Sequence, residues 1–402
     1  MQMLLLAQDL AKAGHRVFVA LRHLENAALL YGSAGVTFLQ APGRFAPARS
    51  KIARPVSFAQ LLANMGFDEP LELFAVACAW RNLIKMVGPD LIIFDHAPTA
   101  LLASRGLDTK RALIGSGFCC PPDECPLPVF RPELEGKIDP AKLAAFEATV
   151  LSAVNGQLAR WGEEPMRRLG QLYGDVDENF LTTFPELDHY PKRAATGAAY
   201  WGPVIAGTDG GGEAPQWPPA SASWSARRVY GYLKPSRDLP NVLHALADVG
   251  QATLVYAEGA GPGLRRRFES PALRFADGPL DLARVGKECD AAVLNGGHGV
   301  TAQMLLAGKP LLQIPLVREQ GLTAEAVKRL GAGETVSAAS TDAVRAALDA
   351  VVTDPRYAAA ARRFAERYAS FDPQRQRQAM LERAEELLNV GREAADAGVG
   401  AA

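Results

Sequence analysis

A chain of 402 residues is longer than one ordinary domain, so two are expected. With 43 basic and 44 acidic side chains there is no net field to draw in nucleic acid or another polyanion, and 48% apolar with 22% charged residues describes ordinary globular cores and surfaces. No apolar run reaches the roughly 18 residues of a membrane span, and 5 cysteines, an odd number, suit a reducing cytoplasm better than a disulfide framework. Cys119, Cys120 and Cys125 cluster among prolines without a nearby His or Cys pair at zinc spacing, so no metal site is expected there.

Leu4, Leu5, Leu6, Leu10 and Ala11 recur at helical spacing and Gly14 ends that helix. Gln8, Asp9 and Lys12 break the apolar opening, which therefore reads as a helix and not as a signal peptide. Residues 16–21 and 36–39 predict strands, and 41–70, mixing Pro, Gly and Arg, a loop with a short helix. Residues 71–87 predict a long amphipathic helix ended by Gly88-Pro89. The run 90–95 predicts a buried strand leaving Asp95 at its carboxyl end, where open α/β sheets bind ligands. Asp95 is equally suited to capping a helix that starts near Pro98. His96, the next residue on a strand end, points its ring away from Asp95 and reads as a surface residue. A strand at 111–115, a proline-rich loop at 116–132 with Phe118 and Phe130, an interrupted helical stretch at 142–169 and a strand at 180–184 follow.

Residues 204–226 are rich in Gly, Pro and Ser with almost no apolar periodicity, and predict a linker. An α/β series then resumes with a strand at 228–233 followed by Lys234-Pro235-Ser236. Strands at 253–256 and 273–275 come next, the Arg265-Arg266-Arg267 run between them reading as a solvated helix face. The short apolar run 291–294 predicts a buried parallel strand, which opens at once into the turn Asn295-Gly296-Gly297-His298-Gly299. A helix over 300–307 stops at Gly308, and a strand over 310–315 runs into Glu319-Gln320. Strand, glycine turn and helix N-terminus make an anion site: glycines allow close backbone approach, and the free N–H groups of the first helical turn face the ligand. Helices at 341–352, 355–371 and 373–390 complete the pattern, with a Gly/Ala tail from Ala394 expected to be disordered.

The stretch 290–333 resembles the donor-site signature of the UDP-glycosyltransferase superfamily, including its antibiotic glycosyltransferases: a His-Gly-Gly-x-Gly-Thr turn, a helix, Ala-Gly-x-Pro, a strand and Asp/Glu-Gln. Here these stand as Asn295-Gly296-Gly297-His298-Gly299-Val300-Thr301, Ala307-Gly308-Lys309-Pro310 and Glu319-Gln320. The first His of the pattern, a phosphate donor, is Asn295 in this chain. The resemblance implies an α/β chain of two Rossmann-like domains facing across a cleft (the GT-B fold). Residues 1–203 would bind the acceptor and 227–372 the nucleotide sugar, with 373–402 crossing back onto the first domain.

It further implies metal-independent, inverting transfer of a hexose from a nucleoside-diphosphate sugar, UDP- or dTDP-linked, to a hydroxyl of a small-molecule or lipid-like acceptor in the cytoplasm. The donor is then a substrate, and no cofactor is expected. Gly296, Gly297, His298, Gly299 and Val300 would supply backbone contacts to the diphosphate, Asn295 and Thr301 side-chain donors, and Lys234 a charge. Glu319 and Gln320 would hold the sugar, and Asp95 would orient the catalytic base. That base, a His on a glycine loop after the first strand, falls upstream of Met1, so the first domain is expected to lack its first, central strand. The competing readings are a nucleotide-sugar-binding protein without catalysis, and a nucleotide-sugar epimerase or hydrolase of the same architecture.

Overall fold

The computed structural model describes residues 2–25, 27, 32, 35–44, 51–205, 212–219, 225–337 and 340–399. The chain forms two compact units, one from residues 1–183, 190–202 and 375–402, the other from 184–189 and 203–374.

The first unit begins with α1 (Gln2–Lys12), β1 (Phe18–Leu21), β2 (Thr37–Gln40), α2 (Phe58–Asn64), α3 (Pro70–Val87) and β3 (Leu91–Phe94). It continues with α4 (Pro98–Ala103), β4 (Lys110–Gly115), α5 (Pro140–Trp161), α6 (Gln171–Gly174) and β5 (Glu178–Leu181). Proline at the first turn starts α3 without wasting a hydrogen bond, and Gly88, left-handed at φ 58°, closes it by donating to the Ile84 carbonyl. Asp139 caps α5 by accepting from Ala141 N–H. Phe58, Leu62, Leu101, Leu102, Leu113, Val154 and Leu158 form the core.

The strands of this unit make two parallel sheets, β1-β2 and β3-β4-β5, where one doubly wound sheet is the usual solution. Among the described residues β1 pairs only with β2 and β3 only with β4, and most residues of these strands are only partly buried. The last helix, α14 (Pro373–Val399), belongs to this unit: Arg377 clamps Asp9 at 2.7 Å, Arg383 meets Glu178 at 2.7 Å, and Gln376 donates to the Gly202 carbonyl at 3.0 Å. It runs on to Val399, through the segment expected to be a disordered tail.

The second unit contains β6 (Ser225–Leu233), α7 (Leu239–Asp248), β7 (Gln251–Ala257), α8 (Pro262–Phe268), β8 (Leu273–Phe275), α9 (Leu282–Glu288) and β9 (Ala291–Leu294). It ends with α10 (His298–Leu306), β10 (Leu311–Gln313), α11 (Arg318–Arg329), β11 (Gly333–Thr335), α12 (Thr341–Thr353) and α13 (Pro355–Arg367). Six strands form one sheet in the order β11-β10-β9-β6-β7-β8, and every pairing is parallel. Apolar residues cover both faces of it, as a parallel sheet between helices requires.

Two further segments depart from the sequence pattern. The strand expected over 180–184 ends at Leu181, and Phe184 instead joins the second unit, 4.0 Å from the Tyr368 ring centroid and in edge contact with Phe364 and Phe371. Glu186 follows it there, accepting from the Tyr368 hydroxyl at 2.5 Å and pairing with Arg367. Within the expected linker, 212–219 are anchored to the second unit: Glu213 bridges Leu280 and Trp217 Nε1 donates to Glu288 at 2.7 Å.

Candidate functional site

In the second unit the strand order reverses between β6 and β9, which are neighbours although β7 and β8 come between them in the chain. Such a switch point leaves a crevice at the carboxyl ends of the two strands. Those ends carry Lys234 and Asn295, and one side chain joins them. Asn295 Oδ1 accepts the backbone N–H of Lys234 at 2.7 Å, while Nδ2 donates to the Ile314 carbonyl beyond β10 at 2.8 Å. Asn295 is only 7% exposed. The amide expected to reach for phosphate is thus largely committed to holding three adjacent strand ends.

The chain then turns at Gly296, whose φ of 78° is left-handed. A Cβ there would lie 2.6 Å from the Gln320 carbonyl oxygen, so glycine is required both by conformation and by the approach of α11. Gly297 takes the N-cap position of α10, and no side chain caps the helix. The first i→i−4 bond is Thr301 N–H to the Gly297 carbonyl at 3.0 Å. The preceding amides of Gly299 and Val300 therefore belong to the turn that helical geometry leaves for an outside acceptor, at the positive end of the dipole. Gly299 is exposed and a Cβ on it would meet nothing within 4 Å. Lys234 is exposed at the neighbouring strand end.

The remaining residues of the turn point inward. Val300 is buried in the apolar core, and the fully buried Thr301 hydroxyl accepts from Gln313 Nε2 at 3.1 Å. Thr301 is expected to donate a side-chain contact, but the fold places its hydroxyl behind the helix start. The His298 ring lies 6.1 Å from that of His189, and burial, with His189 adding to it, pushes the His298 pKa down to about 3. His189 itself is 4% exposed and its Nε2 stands 3.1 Å from the Thr323 hydroxyl of α11. No motif marks His189 in the sequence. A lone His after a Pro-containing loop carries no periodic signal, and only its contact with α11, 134 residues on, reveals it.

Glu319 and Gln320 lie in the first turn of α11, both partly exposed. Gln320 Oε1 accepts from the Leu316 and Val317 amides at 2.7 and 3.3 Å, so this oxygen caps its own helix and only the amide nitrogen is left for a ligand. In the first unit Asp95 and His96 follow β3 and both reach solvent, yet burial by the surrounding chain raises the Asp95 pKa and lowers that of His96, with Arg22 adding to the latter. His96 takes φ 44°, left-handed for a non-glycine residue, and its ring meets Phe58 edge-on at 6.2 Å. Asp95 makes no cap for α4: its N-cap is Ala97, with no side-chain bond.

Residues 242–383 match the family described as Erythromycin biosynthesis protein CIII-like, C-terminal domain. A PGL/p-HBAD biosynthesis glycosyltransferase of Mycobacterium tuberculosis (strain ATCC 25618 / H37Rv) is 33% identical over 205 residues, covering 50% of this chain and 46% of that relative. The match spans less than half the length of that curated relative. The GT-B fold extends over the chain: the crystal structure of CalG4, the calicheamicin glycosyltransferase, superposes with a TM-score of 0.71 at 18% identity, covering 96% of this chain and 94% of that one. The glycosyltransferase VinC in complex with dTDP superposes with a TM-score of 0.63 at 16% identity, covering 97% and 96%.

Proposed function

We propose that the chain transfers a hexose from a nucleoside-diphosphate sugar to an acceptor hydroxyl, with inversion and without a metal. The observation that carries this reading is the uncapped start of α10 at the switch point, with Gly299 open and Lys234 at the adjacent strand end. The acceptor oxygen attacks the anomeric carbon while the bond from that carbon to the diphosphate breaks. Its electron pair leaves on the diphosphate, and the acceptor proton passes to a general base. The amides of Gly299 and Val300 and the Lys234 ammonium stabilise the leaving charge, which grows in the transition state and so lowers the barrier. Glu319 accepts hydrogen bonds from sugar hydroxyls, with the Gln320 nitrogen donating beside it. Asp95 orients the base.

A relative solved with dTDP supports a nucleoside-diphosphate donor without choosing between uridine and thymidine. The test is calorimetric titration with UDP and dTDP, followed by incubation with radiolabelled UDP- and dTDP-hexoses with and without a panel of hydroxylated acceptors. Saturable binding of either nucleotide and acceptor-dependent label transfer are expected. Binding of neither nucleotide overturns the reading. Donor consumption that is indifferent to acceptor moves it to a hydrolase or epimerase.

A further inference from the structure

The first unit holds an open cavity of about 600 Å³ where the start of α3 faces the outer side of α5. Its size lies within the range of small-molecule sites, roughly 300–1,000 Å³. Asp68, Thr149, Ser152, Gln157 and Arg160 are the polar residues that line it, and it shares no lining residue with the strand end at Asp95 or with the nucleotide site of the second unit. Gln157 is 3% exposed, and its Nε2 is buried without a hydrogen-bond partner. A buried amide in this state, on a residue that lines a cavity, is costly unless a ligand or water completes it. Asp68 and Arg160 form no ion pair among the described residues, although Arg44 beside Asp68 is already paired with Glu69 and Glu72. The Arg160 Cζ lies 4.8 Å from the centroid of the Phe74 ring, over its face. Burial raises the pKa of Asp68, in keeping with a carboxylate set back from bulk water.

The remaining lining is small and apolar, from Pro70, Ala148 and Ala153. A floor of that kind accepts the C–H face of a saturated ring, while closely spaced donors and acceptors of both kinds suit a rim of hydroxyl groups. A flat aromatic would leave Gln157, Thr149 and Ser152 unmatched, and an alkyl chain would also leave Asp68 and Arg160 desolvated against nothing. We propose that this cavity is a second carbohydrate-binding site, taking a neutral polyhydroxylated ring such as a sugar residue already carried by a larger molecule. It is independent of the nucleotide-sugar reading, since it involves no residue of the second unit.

The test uses the full chain with UDP and dTDP at saturating concentration, so that sugar binding at the nucleotide site is suppressed. Glucose, rhamnose, N-acetylglucosamine and their methyl glycosides are titrated by saturation-transfer NMR, beside phenol and octanol as non-carbohydrate probes. At least one sugar is expected to bind saturably and more tightly than either control. Gly156 lies on the exposed side of α5 with open space where its Cβ would be, so Gly156→Leu fills the cavity without disturbing the fold. Gly156→Leu and Gln157→Leu are each expected to weaken that sugar at least tenfold, while UDP affinity, titrated separately, stays within twofold. No saturable sugar binding, preference for phenol or octanol, or sugar affinity unchanged in Gly156→Leu overturns the proposal. Loss of UDP binding in the unsubstituted chain would instead count against the transferase reading.

Discussion

Asn295 accepts the Lys234 N–H and donates to the Ile314 carbonyl, so one buried amide ties together the ends of β6, β9 and β10. The signature that residues 290–333 resemble has His at this position, and a neutral imidazole has one donor and one acceptor at fixed ring positions, whereas the amide has two lone pairs on one side and two hydrogens on the other. Asn295→Ala strands two backbone groups in a nearly closed environment. It is expected to lower unfolding stability by about 2 kcal/mol, read as a shift in urea midpoint, and to weaken nucleotide binding through displacement of the Lys234 loop. An unchanged midpoint would mean that water replaces the amide.

Two glycines of the same turn are expected to answer differently to alanine. Gly296→Ala forces a left-handed side chain against the Gln320 carbonyl, and should cost about 1–3 kcal/mol of stability before any ligand is added. Gly299→Ala meets no protein atom and sits in a helix, so thermal stability should hold or rise slightly. Its methyl group occupies the approach of an anion instead, and UDP or dTDP affinity should fall about tenfold, or about 1.4 kcal/mol. Melting curves with and without nucleotide separate the two. If Gly299→Ala leaves nucleotide binding intact, the open end of α10 is not where the diphosphate lies.

The His298 pKa of about 3 sets a pH dependence. The ordinary value is about 6.5, so between these values the unfolded chain binds a proton that the folded chain does not, and stability rises with pH. His298 therefore contributes fully above about pH 6.5, and its contribution is lost as pH falls toward the folded value. Replacing it with Gln should flatten the acid limb of a stability–pH curve over that window while leaving the curve above neutrality parallel to the original. An acid limb identical in both proteins would show that His298 is readily protonated in the folded state.

The pair at the start of α11 separates into two jobs. Gln320 caps the helix through Oε1, so Gln320→Ala is expected to cost about 1 kcal/mol of stability as well as sugar affinity. Glu319 lies partly exposed in the same turn. Glu319→Ala should reduce discrimination among donor sugars, measured as competition between UDP-hexoses, with UDP affinity nearly unchanged. Equal loss of UDP and UDP-hexose affinity would remove Glu319 from the sugar site.

Most strands and helices were legible in the chain because their signals are local. The apolar run 291–294, the glycines that follow and the stop at Gly308 need only nearest-neighbour stereochemistry, and β9, its turn and α10 stand within two residues of the positions they imply. The same holds for the long helix ended at Gly88 and for five of the six strands of the second unit, the short β11 having no counterpart in the sequence reading. The Phe184 strand was misread because its aromatic residue looks like strand core in either unit. Pro185 ends the pairing, and the partners that claim Phe184 lie some 180 residues downstream.

The amino-acid sequence alone thus determined the α/β order and the glycine turn. Only the tertiary structure decided what the polar side chains of that turn do: Asn295 and Thr301 are drawn into bonds with Ile314 and Gln313, and His298 is set beside His189. The physical reason is that backbone conformation follows from each residue and its neighbours. A hydrogen-bonding side chain is committed by whichever partner folding brings within about 3 Å, and that partner can stand anywhere in the chain.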